Sequence, residues 1–314
     1  MLNATRLTAD HVSTCRNRLA DVPFLGVGLG YRAEFRQDLM ANQCRVDFLE
    51  LMLEHFIDMP PERMLDAKLL SDRFDIAVHG LDLSIGTIEP LRLDYLARMR
   101  DLVVATDAHW ASDHLCMTSV PGRAIGNLTP LPLDRYMASF VAEKCREAVR
   151  FLPVPFLLEN ISVLFRPGPE EMTEQEYITQ VLDESDAFLL LDLTNVFNNA
   201  TNAGFDAREY LDSLPLDRVV QIHLAGGLAS NGVLLDTHNA PVPDEVFELL
   251  RYSAPSMPLL RAVMIERDQD FPLFESLVAE LDTTREVLCA SWAPHFAAGL
   301  VSAPAWLEGA ARGH

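Results

Sequence analysis

Eight short, apolar, β-rich runs recur along the chain with amphipathic helical stretches between them, and that alternation leaves few folds open. The runs read as strands at LGVGLGY (25–31), DFLELML (47–53), IAVHGL (76–81), HWASDHL (109–115), FLLEN (156–160), FLLLDL (188–193), VVQIHLAG (219–226) and AVMIERD (262–268). Short apolar runs without polar alternation are the mark of strands buried on both faces, as in a parallel sheet. Between them, LDYLARMRDLVVA puts Leu93, Leu96, Met99 and Val103 on one helical stripe. DRYMASFVAEKCREAVRFL starts a second helix with Asp134 as its N-cap. Eight such alternations predict an α/β fold, a (β/α)8 TIM barrel in a single domain. No repeat or linker divides it, so residues 1–284 are assigned to the barrel. Residues 285–314 form a C-terminal extension whose apolar segment REVLCASWAPHFAAGLVSAPAW caps the barrel or covers an oligomer or partner surface.

The residues that end these runs carry the chemistry. LLLDLTNVFNN (189–199) closes a leucine run by setting Asp192 and Asn195 at the boundary of the core. An ionised carboxylate there costs several kcal/mol unless a partner, often a metal, compensates it. The same pattern recurs along the chain. Strand two ends with Glu50, Glu54 and His55, strand three with His79, and strand four with Asp113 and His114. Strand five ends at Glu159 and strand seven delivers His223; its following loop supplies Asp236 and His238, and strand eight ends at Glu266. In this fold the active site lies at the C-terminal ends of the strands, so these side chains share one mouth. Each alone has a plainer reading: a strand-end histidine as a hydrogen-bonded structural residue, Glu159–Asn160 as a helix cap, DTHN as a turn. Their coincidence at so many strand ends favours a metal centre. Histidine and carboxylate donors without thiolate suit non-haem iron, manganese or zinc. They exceed the needs of one ion, and a carboxylate such as Glu159 suits a bridge between metals roughly 3.5–4 Å apart.

Charge and cysteine usage narrow the partners. With 46 Asp and Glu against 25 Lys and Arg, the formal net charge is −21, a field that repels nucleic acid and anionic membrane and suits cations or a basic peptide. The five cysteines are odd in number and form no C-x-x-C pair, which argues against a disulfide framework or a zinc knuckle. Neither a signal-peptide pattern nor a spanning apolar segment is present, so the expected setting is soluble, reducing and cytoplasmic. Cys116, directly after SDHL, reads as a small buried hydrophobe or as a thiol near the metals.

The series VHGLDLSIG, SDHL, LLEN, LLLDLTNVFNNATNAGFD, LPLDRVVQIHLAGG, LDTHNAPVPDEVF and IERD resembles the multinuclear non-haem iron enzymes once called domain of unknown function 692, the family of the methanobactin biosynthesis B subunit. The match runs in order from about Gly26 to about residue 280. The resemblance implies a barrel of the xylose isomerase and endonuclease IV group that holds two or three irons, Fe(II) or Fe(III), with O2 as co-substrate. Its reaction would modify a cysteine of a ribosomally made precursor peptide (RiPP biosynthesis), and a small partner protein would recruit the peptide leader. It implies Glu159, Asp192, His223 and Glu266 around a central metal, with His79 joining Glu159 at a second. Asp236, His238 and Asn195 would hold a third, and Asp113 and His114 would serve near the site as ligand supports or proton carriers. Many relatives carry E-x-H-x-E-N at the end of strand two, where this chain has Glu50-Leu51-Met52-Leu53-Glu54-His55. Met52 stands at the histidine position, with Glu54 and His55 as possible additional ligands, and two metals are the central expectation.

The leading reading is therefore an iron- and O2-dependent oxidoreductase acting on a peptide cysteine, with Arg32 at the mouth read equally as a holder of a peptide carboxylate or carbonyl and as one half of a surface salt bridge. Two alternatives stand beside it. One is a zinc or manganese hydrolase or isomerase on the same barrel. Against it, the acidic charge disfavours DNA, and Lys68 and Lys144 fall in helical segments rather than on a middle strand where a sugar isomerase keeps its lysine. The other is a non-catalytic peptide-binding barrel, which the Met52 departure favours and the remaining intact ligand positions oppose.

Overall fold

All eight apolar runs form strands in the computed structural model, which describes residues 18–57 and 61–297. They are β1 (Gly26–Gly30), β2 (Phe48–Met52), β3 (Asp75–His79), β4 (Ala111–His114), β7 (Phe156–Glu159), β8 (Phe188–Asp192), β9 (Val219–Leu224) and β12 (Ala262–Ile265). They close into one parallel barrel in the order β1-β12-β9-β8-β7-β4-β3-β2. β7, β8, β9 and β12 are buried along their whole length, which is why their sequences show no polar alternation. Helices lie between the strands: Leu93–Thr106 buries Leu96, Met99 and Val103 together with Tyr95 and Leu102, while Leu93 at its start is 54% exposed. Asp134 caps Arg135–Phe151 by accepting from the Met137 amide at 2.7 Å, as expected.

Two hairpins at the C-terminal ends of the barrel strands were not expected. β5 (Met117–Val120) pairs with β6 (Arg123–Thr129), and β10 (Gly226–Ser230) with β11 (Val233–Ala240). The second turns at Asn231–Gly232, both with positive φ (51° and 80°), the Asn-Gly pair that two-residue hairpin turns select. Asp236 and His238 therefore sit on a strand of this hairpin rather than on a loop. The hairpin is fastened to the helix Leu193–Ala203 by Asn202, whose amide donates to Leu234 O at 2.9 Å and accepts from Leu234 N at 2.8 Å. A side chain here fills the place of a neighbouring strand.

The last helix, Phe274–Ala297, passes through residues 284 and 285 without a break. Its Leu288 and Trp292 are fully buried; the Trp292 ring lies 4.8 Å from Phe24 and its indole N–H donates to Met257 O at 3.1 Å. Residues 298–314 of the expected extension lie outside the described residues. Among the described residues, no helix is long and apolar enough to cross a membrane.

Candidate metal centre

Parallel register brings the strand-end residues to one height. Met52 pairs with His79, His79 with Ser112, His114 with Glu159, and Asp192 with His223. Residues paired in register point to the same face of the sheet, here the barrel lumen. Local bonds then lock each strand end. Asp192 caps the helix Leu193–Ala203 by accepting from Asn195 N through Oδ1 at 2.6 Å, which leaves Oδ2 facing inward. The Asn160 side chain clamps β7 to β8, accepting from Asp192 N at 2.9 Å and donating to Asp192 O at 3.0 Å. Asn195 donates its amide NH2 to Asn160 O at 3.2 Å, which leaves its buried Oδ1 without a hydrogen-bond partner among the described residues.

Three groups of donors result, each with ligand atoms within 4.8 Å of one another: His79, His114 and Glu159; Glu159, Asp192, His223 and Glu266; and His238, Glu266 and Asp268. Glu159 links the first to the second. Its Oε2 lies 3.2 Å from His79 Nε2 and 3.3 Å from His114 Nε2, while its Oε1 lies 3.0 Å from His223 Nδ1. Glu266 links the second to the third, with Oε2 3.5 Å from both His223 Nδ1 and His238 Nδ1. Asp236 Oδ1 stands 2.7 Å from His238 Nε2 on the other side of that ring.

Most of these close approaches lack hydrogen-bond alignment. Glu159 Oε2, His223 Nδ1, Asp236 Oδ1, His238 Nε2, Asp192 Oδ2 and Asn195 Oδ1 are buried, and none has an aligned hydrogen-bond partner among the described residues. Buried polar atoms are otherwise almost always paired. Donor atoms that converge without being aligned to one another are arranged for a common cation, so the residues fit a multinuclear metal site. Two of the four histidines also have an outward partner that sets the ring: His79 Nδ1 is 2.8 Å from Ser112 Oγ and His223 Nε2 is 3.1 Å from Glu50 Oε2; His238 Nδ1, 3.0 Å from Asp268 Oδ2, is the nitrogen that also faces Glu266 in the third group. Metal-binding histidines characteristically have such supports.

The electrostatics of the metal-free centre agree. Burial pushes Asp192 well above the usual carboxylate range, and the charges of Asp236 and Glu159 push it further. Burial also raises Glu159, but His223, His114 and His79 outweigh it and bring the group down to about 2. Burial would depress His223 and His238. Glu50 and Glu159 hold the first well above the ordinary imidazole value, and Glu266 with Asp236 and Asp268 does the same for the second. His114 goes the other way, lowered by burial to about 4, and is neutral and ready to ligate.

Of the residues picked from sequence, His79, His114, Glu159, Asp192, His223, His238 and Glu266 fall in these groups, Asp236 stands beside His238, and Asn195 touches them through its backbone N–H on Asp192. Asp113 does not. It is one residue out of phase with Ser112 and His114, and strand parity turns it away from the lumen. Its carboxyl accepts from the amides of His114 at 2.8 Å and Leu83 at 3.2 Å and from the Tyr95 hydroxyl at 3.2 Å, and burial, with Glu54 next, raises its pKa to about 8. Glu54 belongs to that same cluster, accepting from Tyr95 OH at 2.5 Å and Leu81 N at 3.0 Å. The cluster packs tightly: a Cβ on Gly80 would lie 2.5 Å from both Asp113 Oδ2 and Tyr95 OH. His55 joins none of the three donor groups. Arg32 is buried and its guanidinium is already engaged, donating to Tyr31 O at 2.8 Å and to Asp268, with Glu266 3.7 Å away. Cys116 is fully buried, its thiol held neutral by burial and by the charges of Asp113 and Glu159.

Sequence reasoning named Glu50 at the end of strand two without giving it a role, saw Asn160 only as part of a helix cap, and did not single out Asp268 or Ser112. Ser112 was within reach, since it shares the parity of His114.

Comparison with known proteins completes the picture. A family model described as RiPP precursor modification enzyme MbnB/TglH/ChrH matches residues 26–289. A UPF0276 protein of Caulobacter vibrioides is 38% identical over 274 residues, covering 86% of this chain and 95% of the relative. A UPF0276 protein of Pseudomonas aeruginosa is 36% identical over 264 residues, 83% and 92% of the two chains. Among solved structures, an L-ribulose 3-epimerase superposes with a TM-score of 0.54 at 15% identity over 89% of this chain and 98% of its own. Endonuclease IV from Thermus thermophilus does so at 0.53 and 15% over 84% and 98%. At that identity the two structures speak for the fold.

Proposed function

The chain belongs to the RiPP precursor modification enzyme family MbnB/TglH/ChrH, and on that premise we propose that it is an iron- and O2-dependent oxidase acting on a cysteine of a ribosomally made precursor peptide. The observation that carries the reading is the run of donor groups sharing Glu159 and Glu266, an arrangement for several ions side by side rather than one. His79, His114 and Glu159 would hold one ion, Glu159, Asp192, His223 and Glu266 a central one, and His238 with Glu266 and Asp268 a third, to which the resemblance adds Asp236, at the other nitrogen of the His238 ring, and Asn195. When bound, iron supplies redox chemistry with O2 and stabilises a deprotonated substrate thiol.

The chain's own residues supply orientation and dryness. Glu159 and Glu266 fix the spacing of the groups, and Ser112 and Glu50 hold the His79 and His223 rings with one nitrogen inward. In this reading His114 is a ligand, Asp113 acts from outside the lumen by holding the β3–β4 end together, and Arg32 steadies Asp268 rather than reaching for the peptide. A small partner protein presents the peptide leader, and the reaction takes place in the cytoplasm, where precursor cysteines are reduced. The acidic surface suits a basic peptide or partner.

The test is elemental mass spectrometry on protein prepared without air and reconstituted with ferrous iron, then exposure to O2 with a cysteine-bearing precursor peptide encoded next to its gene. Two or more irons per chain and a mass change confined to the cysteine are expected. Tight zinc that iron does not displace would instead favour a hydrolase.

A further inference from the structure

Glu50 is 3% exposed and sits one layer below the donor groups, with no lysine or arginine paired to it among the described residues. What it does touch is ordered by a donor that has no alternative role. Trp110 Nε1 donates to Gln221 Oε1 at 2.5 Å, and an indole N–H only donates, so the Gln221 amide orientation is fixed. Its NH2 then faces Glu50 Oε2 at 2.6 Å. The same Glu50 oxygen lies 3.1 Å from His223 Nε2, the ring nitrogen pointing away from Glu159 and Glu266. Gln221 Nε2 is also 2.9 Å from His223 Nε2. With Nε2–H donating to Glu50, this contact sets two donors side by side on one carboxylate oxygen, whereas a bare Nε2 would accept from Gln221.

We propose that Glu50 is a positioning residue of the metal centre, which by accepting the Nε2–H of His223 directs the Nδ1 lone pair into the group of Glu159, Asp192 and Glu266. The inference rests on the metal reading above and concerns how the central site is set. Nδ1 and Nε2 diverge across the imidazole ring, so a group bonded at Nε2 does not share an ion held at Nδ1. Without the carboxylate, the remaining neighbour of Nε2 is the Gln221 NH2, which favours the opposite tautomer, with the proton on Nδ1 and no lone pair for the metal. The relay Trp110–Gln221–Glu50–His223 thus runs from the barrel interior to the centre of the site.

The experiment uses Co(II) as the probe, titrated into metal-free full-length protein against a chelator, with the absorption spectrum reporting the ligand set. Glu50→Gln, which keeps the shape and one acceptor oxygen, is expected to weaken one Co(II) site about tenfold, and Glu50→Ala about a hundredfold, the range seen when an outer partner of a ligating histidine is lost. Nitrogen-15 histidine spectra of the metal-free protein, recorded at a pH high enough for His223 to be neutral, should show its remaining proton on Nε2 in wild type and on Nδ1 in Glu50→Ala, which loss of packing alone does not produce. In a His223→Ala background, Glu50→Gln should have no further effect. Wild-type Co(II) affinity and an unshifted tautomer in both Glu50 variants would overturn the proposal, as would an undiminished Glu50→Gln effect without His223. A wild-type chain that binds no Co(II) would overturn the metal reading itself, a separate result.

Discussion

The two ends of the donor chain are built on opposite principles. At the histidine end, His79, His114 and Glu159 offer two neutral-capable rings and one carboxylate. His114 is already neutral and Glu159 already ionised, so two of its donors are in the form a cation needs. At the carboxylate end, Glu159, Asp192, His223 and Glu266 place three carboxylates around one ring, and without a cation Asp192 retains its proton while His223 acquires one. One end is nearly preformed; the other is held in the wrong protonation state until a cation displaces those protons. The difference teaches that binding at the carboxylate end is coupled to proton release and to stability, while binding at the histidine end is governed by donor number and geometry.

Glu159→Gln strikes both ends at once and should have the largest effect. It is expected to strip the ions from both and to abolish the metal-dependent rise in melting temperature; elemental analysis beside a thermal melt reads it, and full occupancy would break the comparison. Asp192→Asn should separate binding from stability. The central ion is lost, yet the metal-free variant becomes more stable than wild type near pH 8, because a neutral amide replaces an acid that must otherwise stay protonated. Folded Asp192 keeps its proton above the unfolded value of about 3.9, so stability of the metal-free wild type falls as pH rises through that range. Urea unfolding at pH 5 and pH 8 tests this, and an equal pH slope in variant and wild type would contradict it. His79→Ala should empty only the histidine end, leaving the proton-coupled ion in place; losing both would mean the ends are not independent.

Smaller effects sharpen the picture. Met52 pairs in register with His79, so Met52→His adds a nitrogen donor on the lumen face, and a rise in affinity of roughly tenfold is expected at the histidine end alone, worth about 1.4 kcal/mol. Unchanged Co(II) titration would mean that the position does not reach the site. Asp113→Asn should leave metal content untouched, since Asp113 lies outside the lumen. Folded Asp113 keeps its proton up to about pH 8, whereas an unfolded aspartate releases it near about 3.9, so this acid lowers stability as pH rises between those values. The variant should flatten that part of the unfolding profile, and a loss of metal would restore Asp113 to the centre.

The barrel was legible because strands buried on both faces leave unbroken apolar runs, and all eight appear in the sequence. Most of the donor set was legible for a related reason: a carboxylate or histidine that closes an apolar run needs a partner, and parallel register gathers such residues at one height. What sequence reading missed depends on parity and pairing. Asp113 and Glu54 have the right chemistry but face the tyrosine cluster, and counting by twos from Trp110 would have separated Asp113 from His114. Glu50 was visible as a strand residue, yet its partners are 171 and 173 positions away, and no local pattern announces them. The β10–β11 hairpin was announced by Asn231–Gly232, a signal overlooked inside a stretch taken for a loop. The engagement of Arg32 with Asp268 joins the two ends of the barrel sequence, and only closure of β1 against β12 makes it apparent.

The Asn202 clamp on Leu234 has a consequence for how this barrel can diversify. Asp236 and His238 ride on a two-stranded element held to the helix by Asn202 and, at its base, to the segment after β12, where Asp268 N donates to His238 O and the Asn239 amide to Asp270, both at 2.9 Å. Residues can be inserted or removed at the Asn231–Gly232 tip, where the backbone is exposed and added length costs little, without shifting any barrel strand. The donors at the base stay tied to the barrel while the tip is free to change, so variation in reach or substrate fit among such enzymes should accumulate at this turn while Glu159 and its neighbours stay still.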